Sequence, residues 1–316
     1  MDGIINIYKP KGMTSFACVS KVRRALGEKK AGHAGTLDPE AAGVLPVCVG
    51  KATKCVDCFL EMPKKYRGEV TFGLNTQSCD IWGEVVDSLD KDDERLKNLS
   101  LEKVIEAANT FLGETDQIPP VYAAIKIGGV PAYKLARQGK NIEMKSRKIT
   151  VYEIDVIDFI QEDGEYPKAV IDVKCSRGTY IRSIFRDLGE KLGVYGCMSA
   201  LIRTEYGFLN ADNGISPDEI GKDKELPFFA TDYIYKDLPK IILNKKEENK
   251  YRTGQKFSVE NFDTRISKKY SENDIVRVYT DSGVFLSTAI VTIVDDNSVA
   301  LKTDKFFDCN EVACFE

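Results

Sequence analysis

The octapeptide Gly32-His33-Ala34-Gly35-Thr36-Leu37-Asp38-Pro39 leads, four residues on, into the apolar run Val44-Leu45-Pro46-Val47-Cys48-Val49. It holds two glycines, a threonine, an aspartate and the only histidine of the chain. Glycines at this density allow backbone conformations that a side chain forbids and leave room for a ligand to approach. A short polar loop entering a buried strand is where a rigid scaffold presents a reactive side chain. Asp38 is the only acid within the loop, which makes it the first candidate for chemistry.

Around this loop the chain reads as ordinary soluble protein. Its 316 residues allow two domains, and 43% hydrophobic with 30% charged residues is typical of globular chains. It has no run of about 18 apolar residues and no basic-then-apolar start, so neither a transmembrane helix nor a signal peptide is expected. Nine cysteines, odd in number and without framework spacing, fit reduced thiols and a cytoplasmic location. The net charge of −4 argues globally against nucleic acid, but Met1 to Gly68 carries twelve Lys or Arg against six Asp or Glu. Such segregation gives an acidic protein a positive face; on charge alone, phosphate binding and simple surface solubility stand about even.

Periodicity places the elements. Thr14-Ser15 caps a helix expected to bury Phe16, Val19, Val22 and Leu26, closed by Gly27, with Lys21, Arg23 and Arg24 on its other side. Further helices are expected near Leu101 to Leu112 and Ile181 to Leu192, and strands at Arg67 to Gly73, Ile149 to Ile160 and Ala169 to Cys175. The irregular mixture reads as α+β with a mixed or antiparallel sheet. Beyond a loop-rich stretch from Gly207 to Pro239, strands near Ile275–Tyr279, Val284–Val294 and Val299–Thr303 are separated by Asp281-Ser282-Gly283 and Asp295-Asp296-Asn297. That predicts a small barrel-like β unit, with a domain boundary near 236.

Several chemistries are excluded. Cys55-x-x-Cys58 lacks the further cysteines or histidines of a structural zinc site and reads as a helix turn burying thiols, as do Cys309 and Cys314 as buried structural thiols. Gly50-Lys51-Ala52-Thr53 lacks the spacing and the Ser or Thr of a phosphate-binding P-loop. No Gly-x-Ser-x-Gly elbow accompanies His33, which argues against a hydrolase triad. Lys64-Lys65-Tyr66-Arg67 interleaves an aromatic with cations, as base stacking with phosphate contacts requires, though a solvated strand edge fits equally. Arg182, at a helix start where the dipole disfavours a cation, calls for an anionic partner, buried or at the surface.

Taken in order, these blocks resemble the bacterial tRNA pseudouridine synthase B family, enzymes that isomerise uridine 55 in the T loop of tRNA. The similarity lies in Lys9-Pro10-Lys11-Gly12-Met13-Thr14-Ser15, in the loop at 32–39, in Lys65-Tyr66 and in the Gly73 to Gly83 block. It continues through Gln117-Ile118-Pro119-Pro120, Ala124-Ile125-Lys126, Gly178-Thr179-Tyr180-Ile181-Arg182 and Leu201-Ile202-Arg203, covering Gly3 to Gly207. Tyr8, Ala42 and Ser78 depart from common family choices. The resemblance implies a pseudouridine synthase fold in residues 1–235, a thumb-like insert at about 128–148 and a PUA-like RNA-binding unit in 236–316. It implies a reaction without metal, nucleotide or redox cofactor, tRNA as partner through its T arm, and a monomer needing no membrane or obligate protein partner.

The same resemblance makes Asp38 the essential carboxylate, as nucleophile or as general base at the sugar, with Arg182 paired to it. Tyr66 is expected to stack on the extruded base and to exchange a proton late in the reaction, and Leu201 to form an apolar wall. His33 is expected to fill space vacated by the flipped nucleotide, while Lys9, Gly35, Thr36, Lys65 and Tyr180 are expected at the substrate. The rival reading is a non-catalytic RNA-binding or tRNA-folding protein; a weaker one is the RNA-guided relative that modifies ribosomal RNA.

Overall fold

The computed structural model describes residues 1–310 apart from 140–141, 223–224, 261, 267–269 and 296–297. Residues 140–141 of the expected insert, the Asp296-Asn297 part of the expected turn and Cys314 lie outside the described residues. A ten-stranded sheet dominates the molecule. Across it run Phe228–Ala230, Gly3–Lys9, Ala42–Val49, Gly196–Tyr206, Lys64–Phe72, Lys168–Cys175, Arg147–Ile160 and Gly113–Gln117. The short Ala31–His33 and Leu209–Asn210 strands attach off this path. Within this sheet every described pairing between named strands is antiparallel except Gly196–Tyr206 with Ala42–Val49. This is the α+β arrangement with a largely antiparallel sheet that the sequence predicts.

The exceptional parallel pairing spans two steps, Ile202 with Ala42 and Arg203 with Gly43. Gly43 makes it possible. Its φ is +105°, and a Cβ there would lie 2.2 Å from the Arg203 carbonyl oxygen, so only glycine lets the two backbones meet.

Helices cover the sheet where their apolar faces demand it. Ser15–Leu26 is capped by the Thr14 side chain, which accepts from the Ala17 N–H, and by Gly27 in the left-handed region. Its buried face is Ser15, Cys18, Val19 and Val22. Phe16, expected inside, is 70% exposed, because the buried spacing starts one residue earlier at the Ser15 hydroxyl. The helices Leu101–Asn109, capped by Ser100, and Ile181–Lys191 pack on the largest apolar cluster, which also contains Leu37, Tyr66 and Leu201. That cluster is therefore continuous with the expected site.

The chain beyond 239 forms a second sheet of five strands, Lys240–Leu243, Ile275–Thr280, Phe285–Asp295, Ser298–Cys309 and Ser258–Glu260. Its Lys240–Leu243 and Ser258–Glu260 edges do not pair among the described residues, so the sheet stays open where the sequence suggested a barrel. It docks through Cys55, Tyr235, Tyr279, Phe285, Phe307 and Cys309, which form one apolar cluster. Lys51 and Lys54 add bonds from their ammonium groups to the Asp308 and Phe306 carbonyls. Among the described residues, no helix is long and apolar enough to cross a membrane.

Candidate active site

The loop carrying Asp38 is clamped from behind before any ligand arrives. The buried Ser15 hydroxyl donates to the Leu37 carbonyl at 3.1 Å and accepts from the Leu37 N–H at 3.0 Å. Lys9, fully buried, donates to the carbonyls of Pro10, Met13 and Pro39 at 2.9, 2.6 and 3.1 Å. The Gly12 N–H also donates to the Pro39 carbonyl. Burial holds the Lys9 ammonium below its ordinary range, opposed by Cys18, Asp38 and Glu40. Lys9, expected at the substrate, is thus a loop brace: its donors are spent on backbone, and a buried ammonium requires that.

Asp38 faces a cavity of about 600 Å³, within the ~300–1,000 Å³ usual for ligand clefts. Its carboxylate forms an ion pair with Arg182 Nε at 3.1 Å. The burial is lopsided: the Arg182 side chain is 7% exposed and that of Asp38 43%. The arginine therefore carries the desolvation cost, and its surroundings answer it. One terminal nitrogen donates to the Ser78 carbonyl at 3.0 Å and lies 3.5 Å from the Asp80 carboxylate, and the other donates to the Tyr122 carbonyl at 3.0 Å. A planar donor fork held on all sides fixes where Asp38 can sit. The anionic partner predicted for Arg182 is present, and Asp80 is a second one that the sequence reading missed.

Upstream of that arginine, Gly178 takes φ +77° and Tyr180 is locked by Gln117, which accepts from the Tyr180 N–H at 2.8 Å and donates to its carbonyl at 3.1 Å. Ser183 and Arg186 donate to the Ile118 carbonyl. The Gln117-Ile118 block thus works as a brace for the helix start, a role without any periodic signature.

Strand parity decides the opposite wall. In Lys64–Phe72 the buried positions alternate from Lys64 through Tyr66 to Gly68, so Lys64 and Tyr66 line the cavity and Lys65 does not. Lys65, expected at the substrate, points to the other face. Lys64 takes its place, donating to the Leu60 and Met62 carbonyls, and burial brings its ammonium down to about 8. Burial raises the Tyr66 phenol, with Arg203 opposing by charge and hydrogen bond. Tyr66 therefore rests as a neutral phenol at neutral pH.

Arg203, 1% exposed, donates to the Val44 and Gly35 carbonyls at 2.7 and 2.9 Å and lies 4.7 Å from the centre of the Tyr206 ring. Gly35 needs its left-handed φ of +63°, and a Cβ there would meet the Tyr206 ring at 2.9 Å. Gly35, Thr36, Tyr180 and Leu201 line the cavity. His33 does not. It lies on the short strand paired with Val47, and burial, then Arg203, lowers its imidazole below the ordinary range.

Six cations line this cavity, Lys64, Arg147, Lys148, Arg177, Arg182 and Arg203, against the single carboxylate of Asp38. Lys148 and Arg177 pair outward with Glu114 and Glu61. Such a basin favours an anionic ligand, with an apolar and aromatic wall of Tyr66, Tyr180 and Leu201 to receive a planar ring. The Cys55 and Cys58 thiols lie instead against the Tyr235 hydroxyl, far from this chemistry in role, and burial drives Cys55 up to about 12.

A family model described as TruB family pseudouridylate synthase (N terminal domain) matches residues 23–181. The tRNA pseudouridine synthase B of Clostridium perfringens is 41% identical over 288 residues, spanning 90% of this chain and 94% of that protein. That of Caldanaerobacter subterraneus is 40% identical over 291 residues, spanning 92% and 95%. Among solved structures, a chain of an H/ACA ribonucleoprotein bound to a substrate RNA containing 2′-deoxyuridine superposes with a TM-score of 0.67 at 23% identity, over 96% of this chain and 84% of that one. A chain of a Cbf5-Nop10-Gar1 complex gives 0.65 at 23%, over 97% and 85%.

Proposed function

The chain belongs to the TruB family of pseudouridylate synthases, and from that membership we propose that it isomerises uridine 55 to pseudouridine in the T loop of tRNA. The C1′–N1 bond breaks, the freed base turns, and C5 bonds to C1′; C5 gives up its proton and N1 takes one. A uridine inside a folded loop must first leave its stack, at a cost of a few kcal/mol. The cationic basin around Lys64, Arg147, Lys148 and Arg177 supplies phosphate contacts that offset that cost.

The observation carrying the proposal is the Asp38–Arg182 pair at 3.1 Å beside Tyr66 and Leu201 in one cavity. Arg182 is a positioning residue: it holds Asp38 aimed at the ribose and base, whichever of nucleophile or base the carboxylate serves as. Tyr66 stacks on the extruded base. As a neutral phenol it is suited to giving a proton rather than taking one. The tRNA T arm would lie over the 128–148 insert and the basic Ser15–Leu26 helix, with residues 1–235 as the catalytic unit and 236–316 as an accessory RNA-binding unit.

The location proposed is the cytoplasm, supported by eight described cysteines that are all free thiols. The protein is proposed to act as a monomer without an obligate protein partner. The test is tritium release from C5-labelled uridine in a T-arm transcript. Wild type is expected to release it and Asp38→Asn to fall by roughly 10²–10⁴-fold. Release by both, or by neither, would leave the rival reading of a tRNA-folding protein in possession.

A further inference from the structure

Beside the cavity, and outside its lining, stands the chain's only tryptophan. Trp82 is 42% exposed and its neighbour Ile81 41%. The turn that presents them is rigid. The Gly83 N–H donates to the Asp80 carbonyl, the Thr76 hydroxyl donates to that same carbonyl at 2.7 Å, and the Ser78 hydroxyl donates to the Asp80 carboxylate at 2.7 Å. The Ile81 N–H donates to the Met198 carbonyl at 2.8 Å. A Cβ at Gly83 would lie 2.1 Å from the Ser78 hydroxyl, so a side chain there would have to displace it from the Asp80 carboxylate.

This braced turn is tied to the site at one end and to the catalytic loop at the other. Asp80, two residues before Trp82, lies 3.5 Å from Arg182. Lys11 sits over the indole, 4.9 Å from the ring centre, and reaches to within 3.8 Å of the Glu40 carboxylate, two residues past Asp38. The Lys11 side chain is 61% exposed, so its ammonium remains open to a further anion. A braced, part-exposed indole, a cation over it whose side chain stays largely in solvent, and a turn tied to residues of a cationic cavity are the parts of a stacking site for one unpaired nucleotide.

Resting on the function proposed above, we infer that Trp82 and Lys11 form a second nucleotide subsite, in which the indole stacks on an unpaired base flanking the target uridine and Lys11 holds its phosphate. Trp82 reports on itself, being the sole tryptophan. Titrating the protein with a T-arm hairpin transcript is expected to quench its fluorescence, while a fully paired RNA duplex of the same length leaves it unchanged. Trp82→Ala is expected to weaken hairpin binding about tenfold and Trp82→Phe by no more than about threefold. Lys11→Ala is expected to reduce the salt dependence by about one phosphate contact.

Unchanged emission at saturating hairpin, or an unchanged Kd for Trp82→Ala, overturns the inference. Neither readout depends on turnover. An inactive wild-type protein that still bound the hairpin through Trp82 would fail the functional proposal and leave this subsite standing.

Discussion

The two sheets treat their charges in opposite ways. In the unit of the five-stranded sheet, the charges of the Lys245–Arg252 helix close on near neighbours: Glu248 accepts from both Lys245 and Arg252, and Arg265 donates to both Glu247 oxygens. Around the Asp38 loop of the ten-stranded sheet, Lys9, Lys64, Arg182 and Arg203 are each buried and are answered chiefly by backbone carbonyls, with the carboxylates of Asp38 and Asp80 beside Arg182. Carbonyls satisfy the donors without cancelling the charge. The first arrangement holds a unit together, and the second leaves a positive field where an anionic ligand can answer it.

The sharpest way to break this contrast is to remove the arginine that aims Asp38. Arg182→Met is expected to lower tritium release by roughly 10²–10³-fold with a folded protein by circular dichroism. Arg182→Lys should fail to restore it, because an ammonium cannot span Asp38, Asp80 and two carbonyls at once. Turnover within tenfold of wild type in either variant would deny the pair its role.

Next in size is the clamp behind the loop. Ser15→Ala strands the buried Leu37 N–H, so a stability loss of about 1–3 kcal/mol in urea unfolding is expected, together with about tenfold slower turnover as the loop loosens. On the other side of the comparison, Glu248→Gln should cost about 1.5 kcal/mol and leave kcat where it was. If kcat fell with it, the two sheets would not be the independent charge systems described here.

The smallest effect is in pH. Folded Lys64 loses its proton near 8, below its unfolded value of 10.5, so between those values the unfolded chain binds the extra proton and the wild type gains stability as pH rises. Buried cysteines pull the other way at alkaline pH, and comparison with Lys64→Met cancels them. The stability of wild type relative to that variant should climb from about pH 8 to 10 in thermal melts. A flat difference would place Lys64 in solvent.

What the sequence made legible follows from what is local. Thr14, Ser100 and Gly27 act within a turn of the helices they bound, and those helices start or stop where expected. The crowded loop at 32–39 announced Asp38, and the unfavourable position of Arg182 announced a partner. Parity was not local. Whether Lys64 or Lys65 faced inward depended on which side of the strand the Ile181–Lys191 helix would cover. Lys9, expected at the substrate, has nothing in its neighbourhood to show that the Pro39 carbonyl, thirty positions on, would claim it. Gln117 and Asp80 act on partners about 60 and about 100 positions away, and a single sequence carries no mark of such distances.

The parallel seam at Gly43 and Arg203 has a bearing on the chain's birth as well as its architecture. Arg203 donates to the Gly35 carbonyl across 168 positions of sequence. At about 5–20 residues per second of synthesis, the Asp38 loop leaves the ribosome roughly ten to thirty seconds before the arginine that braces it exists. For most of that interval the nascent chain carries its carboxylate with neither Arg182 nor Arg203 beside it. The Asp38 loop therefore gains its full set of braces only when the last central strand, Gly196–Tyr206, joins the sheet.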